Sequence, residues 1–329
     1  MKRLDHRCCV APMMEYSDRH DRFLLRLFSR NVVLYTEMVP VQALLNANHD
    51  LFLRHDSSEH PVALQLGGSD PKAMAQGAKI GEEAGFDEIN INVGCPSDRV
   101  QAGRFGACLM MEPELVARCF EEMQARVDIP VTVKCRIGVD KQDTFEHLRY
   151  FVEQLVSVGC QTFIIHARKA WLKGLSPKQN RDIPPLRYEA VYQLKNEFQD
   201  IEIVINGGII SLDEVRYHLL LTDGVMVGRE AYRNPSMLME VDRLVFGVER
   251  RDVSVWEALE SYKMYIVREL NKGTPLHVMT KHILGMFHGM PGARAWRRHL
   301  SCYGLMKDAG VEIIDEAQQY VHDLQSQNR

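Results

Sequence analysis

The chain has 329 residues, 46% of them hydrophobic, which is enough for one large core and an appendage. No run approaches the ~20 apolar residues of a membrane span, and Asp5, His6 and Arg7 break the opening MKRLDHRCCVAPMM before a signal-like stretch can form. The net charge of −4 excludes a uniformly basic nucleic-acid binder, while eight cysteines without C-x-x-C pairing or zinc and iron–sulfur spacing suit free thiols in a reducing cytoplasm.

Short apolar runs recur at even spacing along the first two thirds of the chain. They are CCVAPMM (8–14), VVLYTEM (32–38), VALQLGG (62–68), EININVGC (88–95), VTVKCRIG (131–138), TFIIHAR (162–168), IEIVINGG (201–208) and GVMVGR (224–229). Most are continuous rather than alternating, which predicts strands buried on both faces. Helical patterns lie between them. DPKAMAQGAKIGEEAG is opened by Ser69 or Asp70 with Pro71 in its first turn, and EPELVARCFEEMQARV follows. SLDEVRYHLLL has Ser211 as its N-cap and Glu214 three residues on. Eight strand–helix units predict an α/β fold, a (β/α)8 TIM barrel. The rival, a doubly wound sheet, usually carries a G-x-G-x-x-G loop, and none is present. Beyond residue 250 the strand-like runs stop. VSVWEALESYKMYIVREL, PLHVMTKHILGMF and EIIDEAQQYVHDL predict an all-helical C-terminal domain, reached through RLVFGVERRDVS. The expected division is a barrel over 1–246 and a helical domain over 247–329.

Barrel enzymes carry their chemistry at the C-terminal ends of the strands. Those ends hold Glu37, Gln65, Asn90, Asn92, Lys134, Arg136, His166, Arg168, Asn206 and Arg229. A lone His or Gln among them reads more readily as a satisfied structural polar group; the same bias on six strands points to a site. A lysine inside VTVKCRIG is costly unless it is paired or serves a ligand. NGG (206–208) follows the seventh strand and GR (228–229) the eighth, where barrels hold phosphate on backbone N–H groups. A phosphate site combined with Lys134, Gln65 and the apolar Pro12, Met13 and Met14 suits flavin mononucleotide, FMN.

Cys95 lies in NVGCPSDRVQAGRFGACLM, a glycine-rich stretch leaving the fourth strand, and Pro96 stops that strand. Cys8, Cys9, Cys119, Cys135 and Cys160 read as buried structural residues. A thiol on a loop of the active face can act as an acid as well as a nucleophile.

Charge is segregated. Residues 154–181 contain no acid but carry Arg168, Lys169, Lys173, Lys178 and Arg181. Residues 270–307 also lack acids and carry Lys272, Lys281, Arg294, Arg297, Arg298 and Lys307. Such windows are the footprint of a protein that meets phosphate on one side, although acid-free loops also arise by accident.

Together APMM (11–14), ALQLGG (63–68), ININVGCPSDRVQAGRFGACLM (89–110), VKCRIG (133–138), FIIHAR (163–168), INGGI (205–209) and VGR (227–229) resemble the tRNA-dihydrouridine synthases, and most closely their bacterial A subfamily. The resemblance spans the barrel and the helical region. It implies a flavin-dependent oxidoreductase that reduces the 5,6 double bond of uridine in the tRNA D-loop, at positions 20 and 20a. NADPH (or NADH) would be the reductant. It implies that Pro12, Met13 and Met14 line the flavin, and that Gln65, Lys134 and His166 contact its ring or ribityl parts. Asn206, Gly207, Gly208, Gly228 and Arg229 would hold its phosphate end. Cys95 would be the proton donor and Asn92 would sit beside the target base. Lys178, Arg181, Arg294 and Arg297 would contact tRNA. The corresponding expectation is a cytoplasmic monomer with no membrane association and with no protein partner legible in the sequence. The alternative is an FMN-dependent barrel oxidoreductase of a free pyrimidine or other small molecule. The acid-free windows and the helical appendage count against it, since a small substrate requires neither.

Overall fold

The computed structural model describes residues 4–46, 50–249 and 251–326. Eight parallel strands close into the expected barrel: β1 (Cys8–Val10), β2 (Val33–Tyr35), β4 (Val62–Gly67), β5 (Glu88–Val93), β6 (Val131–Arg136), β7 (Thr162–His166), β8 (Glu202–Asn206) and β9 (Gly224–Val227). The ring closes where β2 pairs with β4 and β1 with β9. A two-residue strand, β3 (Val39–Pro40), lies beside the C-terminal end of β4. Helices wrap the strands, and their starts follow the sequence signals. Asp70, not Ser69, caps Pro71–Glu83 by accepting from the Ala73 N–H, and Ser211 caps Leu212–His218 by accepting from Glu214 N–H. The Glu214 carboxylate reaches back to Ile210 N–H at 2.6 Å rather than to the cap residue itself.

The barrel interior has two chemically distinct sides. Cys9 and Ala11, Val33 and Tyr35, Ala63, Ile164, Val204 and Met226 form an apolar cluster contributed by β1, β2, β4, β7, β8 and β9 and their ends. On β5 the residues alternate. Ile89 packs outward against the helix Pro71–Glu83, and a side chain at Gly81 would meet its Cδ1 at 2.6 Å. Glu88, Asn90 and Asn92 therefore point inward. The β5 run that the sequence presents as uniformly buried is thus a polar column on one face and an apolar strip on the other.

The chain divides by compactness into two units, Met1–Glu15 with Val32–Gly228, and Tyr16–Asn31 with Arg229–Arg329. The second unit takes in the helix Arg19–Phe28, which follows β1 in the chain, and the stretch 229–246 that follows β9. The reason lies in the partners of that first helix. Tyr262 donates to the His20 carbonyl at 3.2 Å, His282 meets the N-cap Asp18 at 2.9 Å, and Arg19 pairs with buried Glu269. All three partners come from the C-terminal helices Val255–Leu270 and Leu276–Ile283. Val255–Leu270 starts with a complete capping box, Ser254 with Glu257. Trp296 is fully buried in the same unit and donates to the Ile283 carbonyl at 2.9 Å.

The floor of the barrel carries a buried ion cluster. His6 places Nε2 2.7 Å from Glu88 and Nδ1 2.9 Å from Glu202, and Glu88 also accepts from Tyr35 and Thr132. Burial alone would lower the His6 pKa, but Glu88 and Glu202 reverse this and hold it up to about 10. A histidine raised in this way stabilises the fold fully below its unfolded pKa, and the benefit is lost as pH climbs through the folded one. The denaturant midpoint followed by circular dichroism should therefore fall between pH 6.5 and about 10. His6→Gln should flatten that part of the profile and cost about 3–5 kcal/mol at neutral pH, because it strands a buried carboxylate.

Candidate active site

At the C-terminal rim, β4, β5 and β6 bring amides and an ammonium side by side. Gln65 is level with Asn90, and Asn92 is level with Lys134. The amides form a directed chain. Thr132 donates to Glu88 at 2.6 Å and accepts from Asn90 Nδ2 at 2.8 Å. Asn90 Oδ1 accepts from Gln65 Nε2 at 2.7 Å, and Gln65 Oε1 accepts from Asn92 Nδ2 at 2.8 Å. Asn92 Oδ1 then accepts from the backbone N–H groups of Gly94 at 3.1 Å and Cys95 at 3.0 Å. Gln65 and Asn92 each keep one amide hydrogen beyond this chain.

The Cys95 loop is held at several further points. The Gly94 carbonyl accepts from Arg136 Nε at 2.8 Å, and the Cys95 carbonyl accepts from Ala107 N–H at 2.9 Å. Gly106 stands where the chain doubles back: its φ of +76° suits glycine, and a side chain would meet the Cys95 oxygen at 2.4 Å. Gln101 bridges Pro96 and Leu172 carbonyls, each at 2.8 Å, so the loops after β5 and β7 are tied together. The Cys95 thiol is half-buried and lies 3.6 Å from Ser97 Oγ. The five cysteines read as structural are all buried.

Lys134 reaches across the interior to Asn206 Oδ1 on β8 at 3.1 Å. Among the described residues no carboxylate pairs with it. Burial, and next the Arg136 guanidinium, push its pKa down to about 8. Asn206 donates in turn to the Met226 carbonyl at 2.7 Å, and His166 stands level with it. Gly207 has a φ of +120°, and a side chain there would meet His166 Cδ2 at 2.9 Å, so only glycine allows the turn beside the ring. At Gly228 an added carbon would meet nothing nearer than Ala11 at 4.0 Å, leaving that backbone open. Pro12, Met13 and Met14 follow β1: Met13 packs on the barrel core and Met14 is exposed. Gln65, Asn92, Cys95, Lys134, His166, Asn206 and Gly207 are thus linked by bonds or register at one end of the barrel. Arg229 opens the helix Arg229–Arg233 and belongs to the second compact unit.

The basic windows are less free than their composition suggests. Lys169 pairs with Asp143, Lys272 with Glu269 and Lys281 with Asp18, so these three charges are matched by acids from outside the windows. Lys178 and Arg181 are exposed on the loop after β7, and Arg294, Arg297 and Arg298 are exposed on the helix Ala293–Tyr303. Asn180, fully buried, organises the first of these loops by bonding both the N–H and the carbonyl of Trp171, and its carbonyl accepts from Arg136 at 3.1 Å. Nothing in the string PKQNRD marks that asparagine as special. Glu88 and Thr132 were equally hidden, although the alternation E-I-N-I-N carries a signal that one face of β5 is polar.

The family described as Dihydrouridine synthase (Dus) matches residues 9–322. A Shewanella oneidensis protein named tRNA-dihydrouridine(20/20a) synthase is 53% identical over 99% of this chain and 97% of its own length. An Escherichia coli K12 protein of the same name is 54% identical over 96% of this chain and 92% of its own. Among solved structures, the one described as TcOYE with pHBA shares the fold, with a TM-score of 0.51 at 11% identity over 77% of this chain and 92% of that one. A barrel whose rim carries these amides, this lysine and this thiol, matched from end to end by such relatives, belongs to the dihydrouridine synthase family.

Proposed function

We propose that this protein is a flavin-dependent tRNA-dihydrouridine synthase that reduces the C5–C6 double bond of uridines 20 and 20a in the D-loop, with FMN as its flavin and NADPH as reductant. The observation that carries the reading is a thiol, Cys95, anchored through Asn92 to the same row of side chains that holds Lys134 at the barrel mouth. Near-full-length relatives that bear this name support it. They do not favour a free pyrimidine as the substrate.

The residues at the mouth fit a flavin. An ammonium that pairs with no carboxylate among the described residues, and two amides that each keep one hydrogen outside the column, suit a ring edge made of acceptors. Pro12, Met13 and Met14 would line the ring, while Gln65, Lys134 and His166 would address its polar edge and ribityl chain. Asn206, Gly207, Gly208, Gly228 and Arg229 would hold the phosphate. When bound, the reduced flavin supplies the hydride that uracil C6 receives.

The chain's own part is to hold the proton and the base. The Cys95 S–H bond breaks as the bond from hydrogen to C5 forms, and solvent returns a proton to the thiolate. Asn92 and Arg136 fix the loop on which that thiol sits, through the Cys95 N–H and the Gly94 carbonyl. Asn92 also lies beside the position of the base. The uridine must leave its stack at a cost of a few kcal/mol, less in an irregular loop. Phosphate contacts from Lys178, Arg181, Arg294 and Arg297 offset that cost. We take the barrel as the catalytic domain and the C-terminal helices as the tRNA-binding one. We take it to act as a monomer in the cytoplasm, a reducing compartment that suits cysteines outside disulfides.

Incubating the purified protein with FMN, NADPH and unmodified tRNA should add two mass units to uridines in the D-loop and to none elsewhere, as read by nuclease mapping and mass spectrometry. An unchanged tRNA mass with a yellow, NADPH-oxidising preparation would remove tRNA from the proposal. Lys134→Met should weaken flavin binding by roughly 10- to 100-fold, the worth of a charge-assisted bond. The flavin-free variant should melt no lower than the wild type, because a buried charge without a counter-ion is gone. Flavin titration and thermal melts check the two halves separately.

A further inference from the structure

The column between the floor and the mouth contains only side chains, and its two ends have polarities that cannot invert. At the floor Glu88 is fully buried beside His6, and a carboxylate can only accept. At the mouth the terminal groups are the N–H groups of Gly94 and Cys95, which can only donate. Between them lie one hydroxyl and three primary amides, each of which could face either way in isolation. With Thr132 spending its single hydrogen on Glu88, its oxygen must accept from Asn90. Each amide then passes the same sense to the next, through Gln65 to Asn92. The opposite sense would turn the Asn92 NH2 group towards two backbone N–H groups.

We propose that Glu88 is a positioning residue: through Thr132, Asn90, Gln65 and Asn92 it sets the direction of every amide, and so aims the Asn92 carbonyl at the loop that carries Cys95. It acts over about 13 Å, four residues along a strand at roughly 3.3 Å each. Glu88, Asn90 and Asn92 share the inward face of β5, while Gln65 and Thr132 enter from the flanking strands β4 and β6. Asn90 has Gln65 and Thr132 as its side-chain partners. The consequence for turnover rests on Cys95 being the proton donor; the structural claim does not.

Thr132→Val keeps the shape of the side chain and removes the hydroxyl that joins Glu88 to Asn90. In the full-length, flavin-loaded protein, residue-resolved amide hydrogen exchange should show Gly94 and Cys95 exchanging about tenfold faster, with Ile89 and Ile91 unchanged. Thr132→Ser, which restores the hydroxyl, should return both to wild-type protection. In turnover, kcat should fall about tenfold in Thr132→Val while KM for tRNA stays level. Gln65→Met cuts the column two residues nearer the mouth and should give the same exchange pattern, so the claim stays testable if the valine variant does not fold. Unchanged protection at Gly94 and Cys95, or an equal loss all along β5, overturns the proposal. The exchange readout requires neither tRNA nor turnover. Its failure is therefore distinct from failure of the proposed function, which would appear as wild-type protein that forms no dihydrouridine.

Discussion

A carboxylate buried at the bottom of a barrel must be satisfied by donors, and that requirement organises the interior of this protein. Glu88 takes hydrogen bonds from Tyr35 and Thr132 and an ion pair from His6, so three strands and the N-terminal segment converge on one side chain. Everything above it on β5 inherits a donor–acceptor sense from that floor. The apolar cluster on the other side of the barrel does the opposite work. Apart from the Tyr35 hydroxyl, which reaches Glu88, it supplies burial without direction. A stiff apolar wall and a directional polar wall together deliver a thiol, two amides and an ammonium to one rim.

Much of this was legible from the residues. The eight runs, the helix caps at Asp70 and Ser211, and the clustering of Gln65, Asn92, Lys134, His166 and Asn206 at strand ends all follow from local pattern and from where barrels keep their chemistry. What escaped was long-range. Glu88 opens its strand, far from the C-terminal ends where chemistry was sought, and its meaning appears only when Thr132 and His6 arrive from segments 44 and 82 residues away. Asn180 looks like any loop asparagine until its bonds to Trp171 and Arg136 are seen. The helix Arg19–Phe28 has an ordinary amphipathic pattern. Its membership of the second compact unit depends on Tyr262, Glu269 and His282, some 240 or more residues downstream.

The basic windows illustrate a different limit. Counting charges along the chain reveals segregation, but not which cations are already matched. Lys169, Lys272 and Lys281 find carboxylates from other segments, and each must break an ion pair before it can address phosphate. The exposed arginines of Ala293–Tyr303 keep their interest because the opposite face of that helix is anchored by buried Trp296 and Leu300, which fixes the direction in which Arg294 and Arg297 point. Composition reveals segregated positive charge; packing shows which of those cations already have carboxylate partners.

These threads meet at one sulfur. If the barrel exists to hold a proton donor over a reduced ring, removing that donor must separate cofactor chemistry from RNA chemistry. The most direct measurement is single-turnover reduction of unmodified tRNA by Cys95→Ala with its flavin pre-reduced. The predicted result is full flavin occupancy and normal oxidation of NADPH, with dihydrouridine formation slowed by roughly 10²- to 10⁴-fold, the usual contribution of a positioned acid. A single-turnover rate equal to that of the wild type would contradict the role assigned to Cys95.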